Sequence, residues 1–169
     1  PDIMEKINDM LTENKELQGK RVLVTAGPTR ERLDPVRYLS NFSSGKMGYS
    51  IAASFKKRGA EVILVSGPTN LPVPDGVVRI DVESTAEMFE AVKAHMTADI
   101  GIFTAAVSDF TVKAQSGQKI KKQQGSVPAL ELVETQDILK YVGHNSEEMY
   151  VVGFAAETES VEAYALGKL

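Results

Sequence analysis

Asn41, Ser43, Ser44, Gly45, Lys46 and Gly48 stand close together, directly before a run that predicts a helix from Tyr49 to Arg58. Small hydroxyl and glycine residues there leave backbone N–H groups open. A helix start adds partial positive charge, so an anion is favoured at that place. Lys46 adds a full charge. The stretch looks like a Walker A loop and is not one, because Ser40 and Met47 occupy positions where that motif needs Gly and Ser or Thr. Taken alone, Ser43-Ser-Gly-Lys46 fits a plain helix cap with a Gly turn equally well.

Three further groupings could carry chemistry. Thr104-Ala-Ala-Val-Ser-Asp-Phe110 follows an apolar run, and its alanines would let a ring or a phosphate approach the backbone closely. Asp109 offers a carboxylate to a ribose hydroxyl, a cation or an amine, or it caps a turn locally. Lys119-Ile-Lys-Lys122 is a cationic cluster that suits either a clamp over a polyphosphate or an ordinary solvated face. Phe154-Ala-Ala-Glu-Thr158 again sets small residues after a strand, with Phe154 available to cover a nucleotide or to fill the core. The two histidines, His95 and His144, lie in polar helical contexts without a nearby ligand partner, which argues against a His-based metal site.

Composition bounds the possibilities. A chain of 169 residues, 43% hydrophobic and 25% charged, reads as one domain able to bury a real core. A net charge of −4 argues against a nucleic-acid surface, which needs a clustered basic face. Without cysteine there is no disulfide, thiolate ligand or thiol nucleophile, a composition that fits a reducing, cytoplasmic setting. No apolar run reaches bilayer length, and the start of the chain lacks a signal-peptide core, so no membrane partner is expected.

The elements that must position these groups alternate. Residues 1–19 read as an amphipathic lead-in helix or linker ending at Gly19, and residues 20–169 as a nucleotide-binding domain. Strands are expected at 21–25, 61–66, 77–82, 99–104 and 149–154, with a further one at 129–133. Helices are expected at 49–58, from a capping box at Ser84 and Glu87 to Met96, at 136–142 and at 159–167. Residues 34–48 read as a loop, and the polar 113–126 stretch as a mobile one. Such alternation predicts a Rossmann-like, three-layer α/β domain with a mainly parallel sheet. Ligands of such sheets sit at the carboxyl ends of the strands.

Five ordered motifs together resemble the phosphopantothenate–cysteine ligase family, in bacteria commonly the C-terminal half of a bifunctional coenzyme A biosynthesis flavoprotein. They are Thr-Ala-Gly-Pro-Thr-Arg-Glu at 25–31, the 34–48 segment, Ala-Ala-Val-Ser-Asp at 105–109, Lys-Ile-Lys-Lys at 119–122 and Val-Val-Gly-Phe-Ala-Ala-Glu-Thr at 151–158. The resemblance covers Gly19 onward. It implies that a carboxylate of 4′-phosphopantothenate attacks the α-phosphate of CTP, with Mg²⁺ present, and that L-cysteine then displaces CMP from the acyl-cytidylate. It further implies a homodimer, fusion to a flavin-dependent decarboxylase, and no flavin in this domain.

By position, the resemblance assigns Asn41 to the acyl-cytidylate and Lys119 to a loop that closes on the site. Gly27, Ser43, Gly45 and Gly48 match phosphate contacts. Phe103, Thr104, Ala105, Ala106 and Asp109 match nucleotide and substrate contacts. Gln136, Asp137, Ile138 and Leu139 stand where the family presents backbone to cytosine, Phe154 matches a nucleotide-side aromatic, and Lys168 a triphosphate lysine. No metal ligands are assigned. Phe42 departs from the polar or basic residue expected beside Asn41, and the family's closing Lys- and Asp-containing stretch is expected beyond Leu169. Two other readings share the same sheet: an NAD(P)-binding oxidoreductase-like domain and a non-catalytic nucleotide-binding module. Against the first, Gly27-Pro-Thr-Arg30 is not Gly-x-Gly-x-x-Gly and no Tyr-x-x-x-Lys pair occurs.

Overall fold

The computed structural model describes Ile3 and residues 15–121 and 129–154. The expected helices at 1–19 and 159–167 therefore lie largely or wholly outside the described residues, as do Lys122, Glu157 and Lys168.

β1 (Arg21–Ala26) is the centre of the molecule. Its Val22, Leu23 and Val24 are β-branched or apolar and buried on both faces, the signature of an inner parallel strand. β4 (Glu61–Ser66) pairs in parallel on one side of it, and β5 (Val78–Asp81) pairs in parallel with β4. β6 (Ile100–Phe103) and then β9 (Tyr150–Gly153) extend the sheet in parallel on the other side. The order β5-β4-β1-β6-β9 makes the chain step outward from β1 in one direction and then in the other. The reversal opens a crevice between the carboxyl ends of β1 and β6.

Alternation along β1 sorts its residues between two cores. Val22, Val24 and Ala26 pack with Tyr49 and Ala52 of α1 (Lys46–Lys57). Leu23 faces the opposite layer, where Met88, Phe89 and Val92 of α2 (Thr85–Lys93) meet Ile138 and Val142 of α3 (Ile138–Asn145). Phe89 and Tyr141 lock these two helices edge to face at 4.8 Å between centroids. At the start of α2, Ser84 Oγ accepts from Glu87 N–H at 3.2 Å, and the Glu87 carboxylate reaches back to Glu83 N–H at 2.6 Å. The expected cap is therefore present. The helix ends at Lys93, short of Met96, and 94–97 continue as turns.

Two antiparallel pairs stand outside the sheet. β2 (Arg30–Asp34) and β3 (Arg37–Ser40) form a hairpin, with an irregularity in register between Arg32 and Asp34. This corrects the loop expected from residue 34 onward. The charged run Arg30-Glu-Arg-Leu-Asp34 hides a strand because its inward groups, Glu31 and Asp34, are themselves carboxylates. β7 (Phe110–Val112) pairs with β8 (Leu132–Glu134), where a strand was expected slightly earlier, at 129–133.

Candidate active site at the β1–β6 crevice

Four chain segments converge on the crevice. The turn after β1 runs through Gly27, Pro28 and Thr29, and the loop after β6 runs alongside it. Ala106 N–H donates to Gly27 O at 2.8 Å and Thr29 N–H to Ala106 O at 3.2 Å, so the parallel pairing continues past the strand ends. Thr25 fastens the same loop lower down: its carbonyl accepts from Thr104 Oγ1 at 2.6 Å and its hydroxyl from Ala105 N–H at 3.3 Å.

The third segment is the start of α1. Gly45 occupies the N-cap position at φ 74°, without a side-chain cap, and no acidic residue stands in the first turn. Ser43 Oγ lies 3.3 Å from Gly45 N and Ser44 Oγ 3.5 Å from Lys46 N, long contacts that an anion could readily outcompete. Gly27 is also left-handed at φ 76°. The two glycines abut: a Cβ on Gly45 would sit 3.2 Å from Gly27 N and 2.9 Å from Thr69 Cγ2, and one on Gly27 would meet the same methyl. Gly48 lets the helix settle on the strand ends, since a Cβ there would fall 2.5 Å from Ala26 Cβ and from Thr104 Oγ1. Its side-chain position is thus used up by packing, and only its backbone is left for a ligand.

Thr69 rests on a buried cluster. Its hydroxyl donates to Tyr49 Oη at 3.0 Å, Arg79 Nη1 donates to the same oxygen at 3.3 Å, and Ser66 Oγ lies 2.9 Å away. Burial pushes the Tyr49 phenol up. Its hydrogen bonds with Ser66, Thr69 and Arg79 outweigh this and leave the group below its ordinary range.

The fourth segment brings Asn41. At the end of β3, Ser40 Oγ donates to Thr29 O at 2.7 Å, and Asn41 Nδ2 donates to Val107 O at 2.9 Å and Ala106 O at 3.4 Å. The amide therefore spans the loop that carries Ala105, Ala106 and Asp109. The longer of its two contacts is the one a ligand carbonyl could replace.

Sequence reasoning missed the buried polar knot behind this loop. Glu31 Oε1 accepts from Thr85 N–H at 2.9 Å and from Thr85 Oγ1 at 2.8 Å. Thr85 Oγ1 lies 3.1 Å from Thr29 Oγ1, which in turn accepts Ser108 N–H at 2.9 Å. A glutamate buried to 5% exposure thus ties β2, the start of α2 and the β6 loop together. Its only sequence signal was a carboxylate inside an alternating strand, which charge alone disguises.

The other expected residues are placed unevenly. Asp109 is exposed, and its carbonyl accepts Thr135 N–H at 3.0 Å. Phe103 is buried in the core at 8% exposure, so only its backbone faces the crevice. Gln136 lies just before α3, Asp137 is its N-cap, with Oδ1 accepting Lys140 N–H at 2.9 Å, and Ile138 and Leu139 begin the helix, Ile138 buried. Phe154 follows β9 with half its surface exposed. Lys119 is not in the crevice but beside Ile120 at the far tip of the hairpin. Four residues of strand rise, about 13 Å, separate that tip from Asn41's end of β3.

Among the described residues no group of three His, Cys, Asp or Glu side chains could hold a metal ion. His95 and His144 each bond the carbonyl four residues back in their own helices. A cleft of about 630 Å³ lies behind the hairpin, and of the expected site residues it reaches only Gln136. Glu31, Glu83, Glu87 and Glu134 line it against Arg30, Arg32 and Lys113, a balance ill suited to a polyanion. The start of α1 beside Gly27 is the better anion site.

The strand order and the turn–helix junction at its switch point define a Rossmann-like α/β domain with its site at the carboxyl edge of the sheet. A family model described as DNA/pantothenate metabolism flavoprotein C-terminal domain matches residues 17–169, and the chain belongs to that family. It is 46% identical over 170 residues to the coenzyme A biosynthesis bifunctional protein CoaBC of Haemophilus influenzae, covering 99% of this chain and 42% of the relative. It is 52% identical over 155 residues to the protein of the same name from Bacillus subtilis, covering 90% and 38%. The chain thus spans about two fifths of the length of these curated relatives. A crystal structure of the C-terminal domain of a CoaBC protein superposes with a TM-score of 0.80 at 50% identity, covering 92% of this chain and 74% of that one. A Cab2 mutant in complex with phosphopantothenate-cysteine shares the fold, with a TM-score of 0.71 at 20% identity over 96% of this chain and 72% of that one.

Proposed function

We propose that the domain ligates 4′-phosphopantothenate to L-cysteine at the expense of CTP. The observation that carries this reading is the convergence of Gly27, the uncapped start of α1 and Asn41 on one loop, Ala105–Asp109, in a chain about half identical to CoaBC proteins. A carboxylate oxygen of 4′-phosphopantothenate bonds to the α-phosphorus of CTP and pyrophosphate leaves. The cysteine nitrogen then bonds to the acyl carbon, CMP leaves, and the amine loses a proton.

The open amides at Gly45–Gly48 and the Lys46 ammonium take the phosphates. Asn41 orients the acyl group over Ala106 and donates to its carbonyl oxygen, a positioning and polarising role. Backbone at Gln136–Leu139 reads the cytosine and Phe154 covers it, while Lys119, held near the hairpin tip, reaches the triphosphate only when its loop closes on the site. Mg²⁺ would supply neutralising charge to the triphosphate, and the exposed Asp109 on the β6 loop would be the carboxylate to help hold it.

The protein works in the cytoplasm as a C₂ homodimer. The apolar side chains Val36, Tyr38 and Phe42 on and beside the β2–β3 hairpin, with Phe110 and Leu132, form its self-complementary patch. A flavin-dependent decarboxylase shares the longer polypeptide.

The decisive assay is pyrophosphate release from CTP. It should require both 4′-phosphopantothenate and Mg²⁺, and CTP should be preferred to ATP. Release independent of phosphopantothenate, or calorimetric binding of NADPH in place of CTP, would reject the ligation.

A further inference from the structure

Asp34 is a carboxylate whose side chain has no solvent-exposed surface, placed at the hairpin tip and used by nothing described above. One of its oxygens satisfies the turn locally, with Oδ1 accepting Val36 N–H at 2.9 Å. The other, Oδ2, does three things. It accepts from Arg37 Nε at 2.9 Å and Nη2 at 2.5 Å, and it accepts Ile120 N–H at 3.1 Å, from 86 positions further along the chain. Arg37 Nη2 then donates to Ile120 O at 2.7 Å. The ion pair captures both backbone groups of one residue, as a neighbouring strand would.

The contact is more than a turn requires. Closing the tip needs only Oδ1 and the Arg37 pair. Reaching Ile120 ties in the segment that flanks it with Lys119 and Lys121, both exposed. Ser116 N–H, donating to Leu33 O at 3.0 Å, is a second tie of that stretch to the hairpin. With few apolar anchors, the stretch is held chiefly by polar contacts, and the buried carboxylate is the one shielded from water and salt. The same hairpin carries Asn41 at its opposite end, so a single rigid element sets the places of Asn41 and of Lys119.

We infer that Asp34 is a positioning residue which, with Arg37, clasps the backbone of Ile120 and so fixes where its neighbour Lys119 stands relative to the reaction. This rests on the proposed ligation for its consequence in turnover, but not for the clasp itself.

The test uses D34N in the whole chain and reads the clasp first without any ligand. Asparagine keeps the shape but loses the charge that binds Arg37 and Ile120 together. Exchange of the Ile120 amide should accelerate by roughly tenfold or more, while the amides of Leu23 and Val24 in β1 keep their protection. Trypsin should cut faster after Lys119 and Lys121. In the ligation assay D34N should lower kcat with little change in KM for CTP, and D34N/K119Q should be no slower than K119Q alone, because Asp34 acts through that lysine. Unchanged Ile120 exchange in D34N, or losses that multiply in the double variant, would overturn the inference. Should D34N fail to fold, R37K is read by the same exchange and cleavage criteria, since lysine cannot hold Asp34 and Ile120 O together. If the unaltered protein shows no ligation, the proposed function fails, and exchange and cleavage alone decide the clasp.

Discussion

Gly45 and Gly27 lie backbone to backbone, so close that a Cβ on Gly45 would stand 3.2 Å from the Gly27 nitrogen. Both are left-handed, at φ 74° and 76°. The start of α1 and the turn after β1 therefore form one surface of main-chain groups, with Thr69 as its floor. A nucleotide phosphate placed there meets amides of both.

Gly45→Ala should damage this surface twice over. An L side chain at that φ costs about 1–2 kcal/mol, and its methyl would push against Thr69 and Gly27. Urea denaturation should show a loss of at least that size. Calorimetry should show CTP affinity falling further than Gly19→Ala produces, since Gly19 is also left-handed but has no neighbour within 4 Å of a Cβ.

Asn41→Ala should leave CTP binding nearly intact and block product formation. Its amide spans the Ala106–Val107 carbonyls and belongs to the acyl group's side of the site, not to the phosphates'. A loss of about 2.7–4 kcal/mol in the affected step is expected by analogy with removing one oxyanion donor. Comparing kcat with the CTP dissociation constant checks it: equal damage to both would contradict the role.

Glu31→Ala should destabilise the fold by about 1–3 kcal/mol, because it strands the Thr85 N–H and hydroxyl without their buried acceptor. Chemical denaturation measures this. Loosened Ser108 and Thr29 should also show as faster amide exchange across the β6 loop.

Acid should reveal Asp34. The hydrogen bond from Arg37 is the largest cause, opposed by burial and aided by Val36 and Ile120 N–H, and it holds the carboxyl at about 2. The unfolded chain has an ordinary carboxylate near 3.9 and takes up its proton first as pH falls. Asp34 therefore contributes its full stabilisation above about pH 4 and loses it as pH drops toward 2. Urea midpoints followed through that window should fall less steeply for D34N than for the unaltered protein. Parallel curves would show that the carboxylate is not held in this way.

Much of the scaffold was legible in residue order. Buried parallel strands such as β1 and β4 announce themselves as unbroken apolar runs, and Ser84 with Glu87 marks the start of α2 three residues apart. These are local signals, because strand burial and helix caps are satisfied within a few residues. The five motifs named the family for the same reason: their spacing is written in the chain.

The hairpin, the Glu31 knot and the Asp34 clasp were not legible. Glu31 meets Thr85 from 54 positions away and Asp34 meets Ile120 from 86, and no propensity distinguishes a carboxylate that will be buried from one that will be solvated. Phe103 and Lys119 show the same divide. Sequence put both at the site, yet the sheet turns the Phe103 ring into the core, and the run of chain along β2 carries Lys119's neighbour Ile120 to the hairpin tip. Residue types and their order determined the architecture and the chemistry available to it. Which polar groups are desolvated, and therefore which of them must find partners and so fix geometry, was decided only when distant segments packed together.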